Sequence, residues 1–324
     1  MTASISLVPG FTVGHAHDLE GCTGCTVVLC PPGGARAAAV VRGMASSTRQ
    51  LGVADPLHLQ DRASAVLLAG GSAFGLDAAA GVMAWLEERG VGFSTMYGQV
   101  PIVPTAILFD LGLGDSKARP TPEMARRAVE AADADVAEGS VGVGAGATVG
   151  KLLTVKCATK GGVGSWGEAT DGGLIVGALV AVNAFGDLYD PTSRSIVAGA
   201  RRSPESLELL DIQKQILSGL MRTTFGQHNT TLAVVATNAA LPGLWLRRVA
   251  WWASEAFAHH LRPAFTAVDG DVIIVLSTET VDAEPHRVGL MAQRVLGQAM
   301  LRAVEQAKPL GGLPTASQLK PLGV

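Results

Sequence analysis

The 324-residue chain predicts a mixed fold of the α/β or α+β class. Two observations carry that expectation. Apolar runs of strand length recur along it at residues 64–69 (SAVLLA), 174–182 (LIVGALVAV), 231–237 (TLAVVAT) and 272–276 (VIIVL). Between them lie stretches with helical spacing or helix-start signals. The runs are apolar at consecutive positions rather than alternating, the pattern of strands covered on both faces.

The elements follow in chain order. Ser64 to Ala69 reads as a buried strand. Leu76, Ala79, Ala80, Met83 and Leu86 then recur at helical spacing, with Gly90 as the stop. The span from Ala63 to Leu86 is the most membrane-like, but Asp77 and several glycines make it a buried helix and its approach. Thr121-Pro122-Glu123 starts a helix with a capping hydroxyl, a proline in the first turn and an acid at the positive end of the dipole. Ser203-Pro204-Glu205 repeats that signal and predicts a helix to about Leu217. Strands at 174–182 and 231–237 follow, then a helix over Leu244–His260, the strand 272–276, and a last helix from about Pro285 to Gln306.

Composition narrows the function. Hydrophobic residues make up 48%, charged residues 16%, and the net charge is -3. That balance excludes disorder, and a slightly acidic chain argues against a general nucleic-acid binder. So little charge predicts much buried surface, subunit contacts included. No composition shift marks a boundary, so residues 1–324 are read as one domain. The start, MTASISLVPG, lacks the basic and apolar regions of a secretory signal, so a cytoplasmic, non-membrane protein is expected. Cys22 and Cys25 form a CxxC, but Cys30 and Cys157 do not supply the second pair zinc would want; structural cysteines are expected.

Five stretches invite a chemical reading. The glycine run 139–151 (GSVGVGAGATVGK) fails as a phosphate loop, because Ala145 and Leu152 stand where glycine and Ser/Thr are needed. It fails as a dinucleotide fingerprint because Val149 takes the third glycine position. What remains is close backbone approach, with Lys151 at the end of a tight loop. Gly70-Gly71-Ser72 fails as a nucleophile elbow because Phe74 occupies the last glycine position, and a helix-capping or backbone-satisfying serine is expected. His15, His17, His58, His228, His259, His260 and His286 show no metal-ligand spacing. Asn229-Thr230-Thr231 carries three readings: β-forming residues at a strand start, a glycosylation sequon, or a self-cut chain whose Thr230 becomes an N-terminal nucleophile. Asp269-Gly270-Asp271 is either a turn or a pair of acceptors for an ammonium or hydroxyl.

Taken together, these segments resemble the DmpA-type family of self-processing aminopeptidases, which includes L-aminopeptidase/D-esterases, β-peptidyl aminopeptidases and nylon-oligomer hydrolases. The matching stretches are TGCTVVLC (23–30), LAGGSAFGLDAAAGVMAWLEERGVGF (68–93), VPIVPTAILFDLGLGD (100–115), the glycine run 139–151, VGALVAVNAFGDLYDP (176–191), NTTLAVVATNAAL (229–241) and DGDVIIVLST (269–278). They occur in family order and span most of the chain.

The resemblance implies an α/β fold, a four-layer αββα sandwich of the DmpA/ornithine acetyltransferase type. It implies a cut between Asn229 and Thr230 into fragments 1–229 and 230–324 that stay together, and a homo-oligomer. Thr230 is then the nucleophile, attacking the Asn229 carbonyl by an N-to-O acyl shift that water completes. Lys151 matches the family lysine, expected to stabilise the deprotonated hydroxyl or keep the amine neutral. Asn183 matches an asparagine donating to the oxyanion. Asp269 and Asp271 match paired carboxylates that would hold the Thr230 ammonium or a substrate amine. The implied substrates are short peptides, amino-acid amides or esters with a free amine. No metal or organic cofactor is implied. An acyltransferase of the ornithine acetyltransferase type and an unprocessed oligomeric binding protein are the alternatives. The chain departs from the family pattern at Gln227-His228, Asn238 and Val272.

Overall fold

A computed structural model of the chain describes residues 3–220 and 229–323. Gln227 and His228 lie outside the described residues. Eleven strands build the two main sheets: β1 (Thr12–Asp18), β2 (Thr23–Leu29), β3 (Ala35–Val41), β4 (Thr48–Arg49), β5 (Arg62–Ala63), β6 (Ala65–Ala69), β7 (Thr105–Ile107), β8 (Gly162–Ala169), β9 (Ile175–Asn183), β10 (Thr230–Ala239) and β11 (Val272–Val281). The first sheet has the order β1-β2-β6-β7-β4, and the second β8-β9-β10-β11-β3-β5. Each is antiparallel except for one internal parallel pair, β6 with β7 and β10 with β11.

The consecutive apolar residues of the runs are explained by layering. Along β9, Val176, Ala178, Val180 and Val182 face one core, while Leu179 and Ala181 face another. In β10, Ala233 and Val235 alternate with Leu232, Val234 and Ala236 in the same way. The first core is closed by α4 (Gly243–His260) and α5 (Pro285–Glu305). The second lies between the sheets, where β9–β11 meet Val28, Val66 and Leu68 of the first sheet. The other face of the first sheet, with Val27, Ala65 and Leu67, packs on α1 (Ala79–Glu87) and α2 (Pro122–Glu130). The result is the αββα sandwich. Among the described residues, no helix is long and apolar enough to cross a membrane.

Most expected helices stand where the signals put them. Thr121 Oγ1 caps α2 by accepting from the Met124 N–H at 3.2 Å. The helix expected from Leu76 opens as a tighter 3-10 turn over Ser72–Ala78. One helix is corrected. Ser203-Pro204-Glu205 does not open a helix; α3 begins at Ile212 and ends at Leu217, capped by the Asp211 side chain. The cause is Arg201, whose guanidinium is buried and gathers the carbonyls of Pro204 at 2.6 Å, Ser206 at 2.9 Å and Lys156 at 2.5 Å. Carbonyls turned toward one guanidinium cannot also point along a helix axis.

Candidate active site

Sheet register assembles the residues. Asn183, the last residue of β9, stands directly opposite Thr230, the first of β10. On the other side of β10, the parallel β11 brings Asp269-Gly270-Asp271 alongside Asn229-Thr230-Thr231. The Asn229 N–H donates to Val268 O at 2.9 Å, and the Gly270 N–H donates to Asn229 O at 2.7 Å. Asp271 Oδ1 accepts from the Thr231 N–H at 2.7 Å. Thr230 Oγ1 donates to the Asn229 carbonyl at 2.5 Å. Asn229, Thr230 and Thr231 are all buried, so the sequon is not presented to solvent.

The glycine run delivers the lysine. Gly150 has φ +84°, and a Cβ there would lie 2.0 Å from the Ala200 nitrogen, so only glycine makes the turn. Gly146 is equally confined, with Asp110 Oδ2 at 2.3 Å from any Cβ. Beyond the turn, Lys151 Nζ donates to Asn183 Oδ1 at 2.6 Å, to Thr148 O and Oγ1 at 3.0 Å each, and to Asn183 O at 3.1 Å. Four oxygens suit an ammonium, but complete burial favours the neutral amine. Burial pulls the Lys151 pKa down to about 7, opposed by the negative charge of Asp269. Asn183 is fixed by the same set. Its Oδ1 also accepts from the Thr148 N–H at 3.0 Å, and its Nδ2 donates to Phe109 O at 3.1 Å.

The two aspartates have different neighbours. Asp269 Oδ2 accepts from the Thr266 N–H at 2.9 Å and Oγ1 at 2.5 Å, and Oδ1 accepts from the Phe185 N–H at 3.4 Å. Asp271 holds Thr231. Burial pushes both carboxyls above the usual range, and for Asp271 the charge of Asp269 adds to it. Arg42, packed between the rings of Trp251 at 4.6 Å and Phe265 at 4.4 Å, partly offsets this at Asp271.

Several supporting residues escaped the sequence reading. Thr148 and Phe109 orient Lys151 and Asn183. Lys160 is fully buried, and its Nζ donates to the carbonyls of Gly144 and Ala147 at 2.7 Å and of Gly161 at 2.9 Å, tying the glycine run into a fixed shape. Burial pulls its pKa to about 7. Asp110 accepts from Thr23 Oγ1 and the Gly71 N–H, each at 2.7 Å. A charged residue inside a small-residue stretch was the available signal for Lys160, but its partners are main-chain carbonyls with no side-chain pattern. Two of the histidines serve the glycine run: the Gly142 N–H donates to His17 Nδ1 at 3.2 Å, and His15 bonds Thr26 at 2.9 Å, whose Oγ1 accepts from the Val143 N–H at 3.0 Å. Ser72 is not a capping serine. It takes φ +55° itself and uses its N–H on Leu108 O. The four cysteines are free and buried. Among the described residues, no His, Cys, Asp and Glu group is arranged to hold a metal.

The family model of Peptidase family S58 matches residues 3–316. The chain belongs to this family. Among S58-like relatives, an uncharacterized aminopeptidase of Mycobacterium leprae is 39% identical, covering 96% of this chain and 92% of its own. A 6-aminohexanoate-oligomer endohydrolase of Kocuria sp. is 27% identical over 92% of this chain and 84% of its own. Two solved structures share the fold. A β-aminopeptidase from Burkholderia sp. superposes with a TM-score of 0.72 at 19% identity, covering 98% of this chain and 92% of that one. The L-aminopeptidase D-Ala-esterase/amidase of Ochrobactrum anthropi, described as a variant of the Ntn hydrolase fold, superposes with a TM-score of 0.71 at 20% identity, covering 100% and 92%. The S58 chain is therefore a hydrolase with an N-terminal-nucleophile fold, and stands with aminopeptidases rather than with acyltransferases.

Proposed function

We propose that this S58 member cuts itself between Asn229 and Thr230 and then uses Thr230 to remove N-terminal residues from short peptides, amino-acid amides or esters. The observation that carries the reading is the Thr230 hydroxyl seated on the carbonyl of its own preceding residue, at 2.5 Å in a buried site. In the self-cut, Thr230 Oγ1 bonds to the Asn229 carbonyl carbon and the C–N bond breaks. The hydroxyl proton ends on the Thr230 nitrogen. Water then opens the ester and frees an Asn229 carboxylate and a Thr230 amine, which serves as base for the next attack.

Lys151 is given the charge role in this reading, supported by its bond to Asn183, which stands opposite Thr230, and by a pKa that burial pulls down to about 7. Asn183 positions Lys151 and supplies an amide donor for a bound substrate. Asp271 holds the Thr231 N–H, keeping the nucleophile's chain in place, while Asp269 anchors the facing loop and offers its charge to an amine. The reading is of a cytoplasmic protein, and a homo-oligomer fits the charge-poor composition and an exposed hairpin, Phe93–Thr95 with Gly98–Val100, that carries Met96 and Tyr97 at 85% and 92% exposure.

The test is intact mass under denaturing conditions. Two fragments corresponding to 1–229 and 230–324 are expected from the native chain, and one uncut chain from Thr230→Ala, with hydrolysis of aminoacyl amides lost. Self-cutting or hydrolysis that survives Thr230→Ala overturns the reading. An uncut native chain without turnover favours an unprocessed binding protein.

A further inference from the structure

Building on the proposed self-cut, we infer that the backbone N–H of Gly270 is the donor that receives the oxyanion charge while the Asn229–Thr230 bond is cleaved, a task separate from any role of Asn183 toward substrate. The Asp269-Gly270-Asp271 turn offers more than its two carboxylates. Its glycine makes the contact with the reacting group: the Gly270 N–H lies 2.7 Å from Asn229 O, the oxygen that turns negative when Thr230 Oγ1 adds to the carbonyl carbon. Asn183 is placed otherwise in the uncut chain. Its Nδ2 donates to Phe109 O at 3.1 Å, and its Oδ1 accepts from Lys151 and Thr148. One of its two Nδ2 hydrogens is thus committed to Phe109 O, and none of these contacts is with Asn229 O.

The Gly270 donor is held before any reaction begins. Asp269 O accepts from the Ala45 N–H at 3.0 Å, and Asp271 O accepts from the Arg42 N–H at 2.9 Å, so both carbonyls flanking the turn are pinned to the segment after β3. The Asp269 side chain is tied to Thr266. The close fit also explains the residue type. A Cβ at position 270 would lie 2.6 Å from Ala45 O, so a larger residue would push the turn, and its N–H, away from Asn229. A fixed donor in a water-poor site stabilises developing charge without reorganisation, and removing one such donor typically costs about 10²–10³ in rate. The step balances without a co-reactant. The C–O bond forms, the negative charge rests on Asn229 O against Gly270 N–H, the C–N bond then breaks, and the hydroxyl proton ends on the Thr230 nitrogen.

Cell-free translation that places glycolic acid at position 270 exchanges this one N–H for an ester oxygen and leaves every side chain in place. Self-cutting, followed by intact mass, is expected to slow about 10²–10³-fold relative to the native chain. Cutting at the native rate overturns the Gly270 assignment while leaving the self-cut itself standing. A native chain that never cuts overturns both. The contact can also be read without the ester: in Thr230→Ala, isotope-labelled for NMR, a through-hydrogen-bond coupling between the Gly270 nitrogen and the Asn229 carbonyl carbon is expected. Its absence from a folded protein overturns the assignment independently of any rate.

Discussion

Lys151 Nζ and Asn183 Oδ1 lie 2.6 Å apart, and the same Nζ also reaches the Asn183 carbonyl at 3.1 Å. The two residues come from a loop and a strand end that are distant in sequence, yet each fixes the other. Neither can be removed without leaving the partner's buried polar group short of a bond.

It follows that their substitutions are not additive. Lys151→Met and Asn183→Ala are each expected to slow self-cutting at least about 10²-fold, and the double variant to be little slower than the worse single one, as found for groups acting as a unit. Time courses of fragment formation measure this. Multiplying effects would show that the two residues act separately.

Stability is expected to depend on pH through the buried lysines. Lys160 titrates at about 7 in the fold but near its ordinary 10.5 when unfolded. Below about pH 7 both states hold the proton and the full burial penalty is present. As pH rises from there, the folded state loses the proton first, the penalty is relieved, and stability increases by up to about 1.4 kcal/mol per pH unit for each such group. Denaturant unfolding of the uncut Thr230→Ala chain between pH 7 and 9.5, with and without Lys160→Met, isolates this contribution. The Met substitution is expected to flatten the slope; an unchanged slope would place the Lys160 charge elsewhere.

Asp271 accepts a backbone N–H, so its replacement separates shape from charge. Asp271→Asn keeps an acceptor for Thr231 and is expected to fold with near-native stability. Asp271→Ala leaves that buried N–H unpaired and is expected to lose about 1–3 kcal/mol. Equal stabilities in urea melts would mean that the 2.7 Å contact carries no weight.

Arg201 organises the segment that the sequence signals misread. Arg201→Met strands the carbonyls of Lys156, Pro204 and Ser206 and is expected to cost about 3 kcal/mol or more. Arg201→Lys is expected to recover only part of this, because an ammonium has no planar five-donor fork. Denaturation midpoints decide it, and full rescue by lysine would reduce Arg201 to a simple charge.

Much of the fold was legible because its signals are local. The apolar runs at 174–182, 231–237 and 272–276 became three adjacent inner strands of the second sheet, and Thr121-Pro122-Glu123 capped its helix. The family pattern also pointed to Thr230, Lys151, Asn183, Asp269 and Asp271; strand register brings the other four together at the start of β10, and the glycine loop delivers Lys151. The failures share a cause. Ser203-Pro204-Glu205 carries the same local signal as Thr121-Pro122-Glu123, but a buried guanidinium from outside the segment took its carbonyls. At Ser72 the cap position falls on Gly71 instead, whose N–H is held by Asp110 from outside the segment.

The sequence by itself determined which segments would be buried and which residues could do chemistry, since hydrophobic periodicity, caps and residue type are properties of short stretches. The tertiary structure decided what those residues face. Asn183 stands opposite Thr230 only because β9 and β10 pair in one register, and Gly270 reaches Asn229 only because β11 runs parallel to β10. Main-chain acceptors such as Phe109 O and Thr148 O are common to every residue type, and a donor such as Gly270 N–H to every type but proline. Their roles are therefore set by where the chain is folded, and residue type enters through fit, as where Ala45 O leaves no room for a Cβ at position 270.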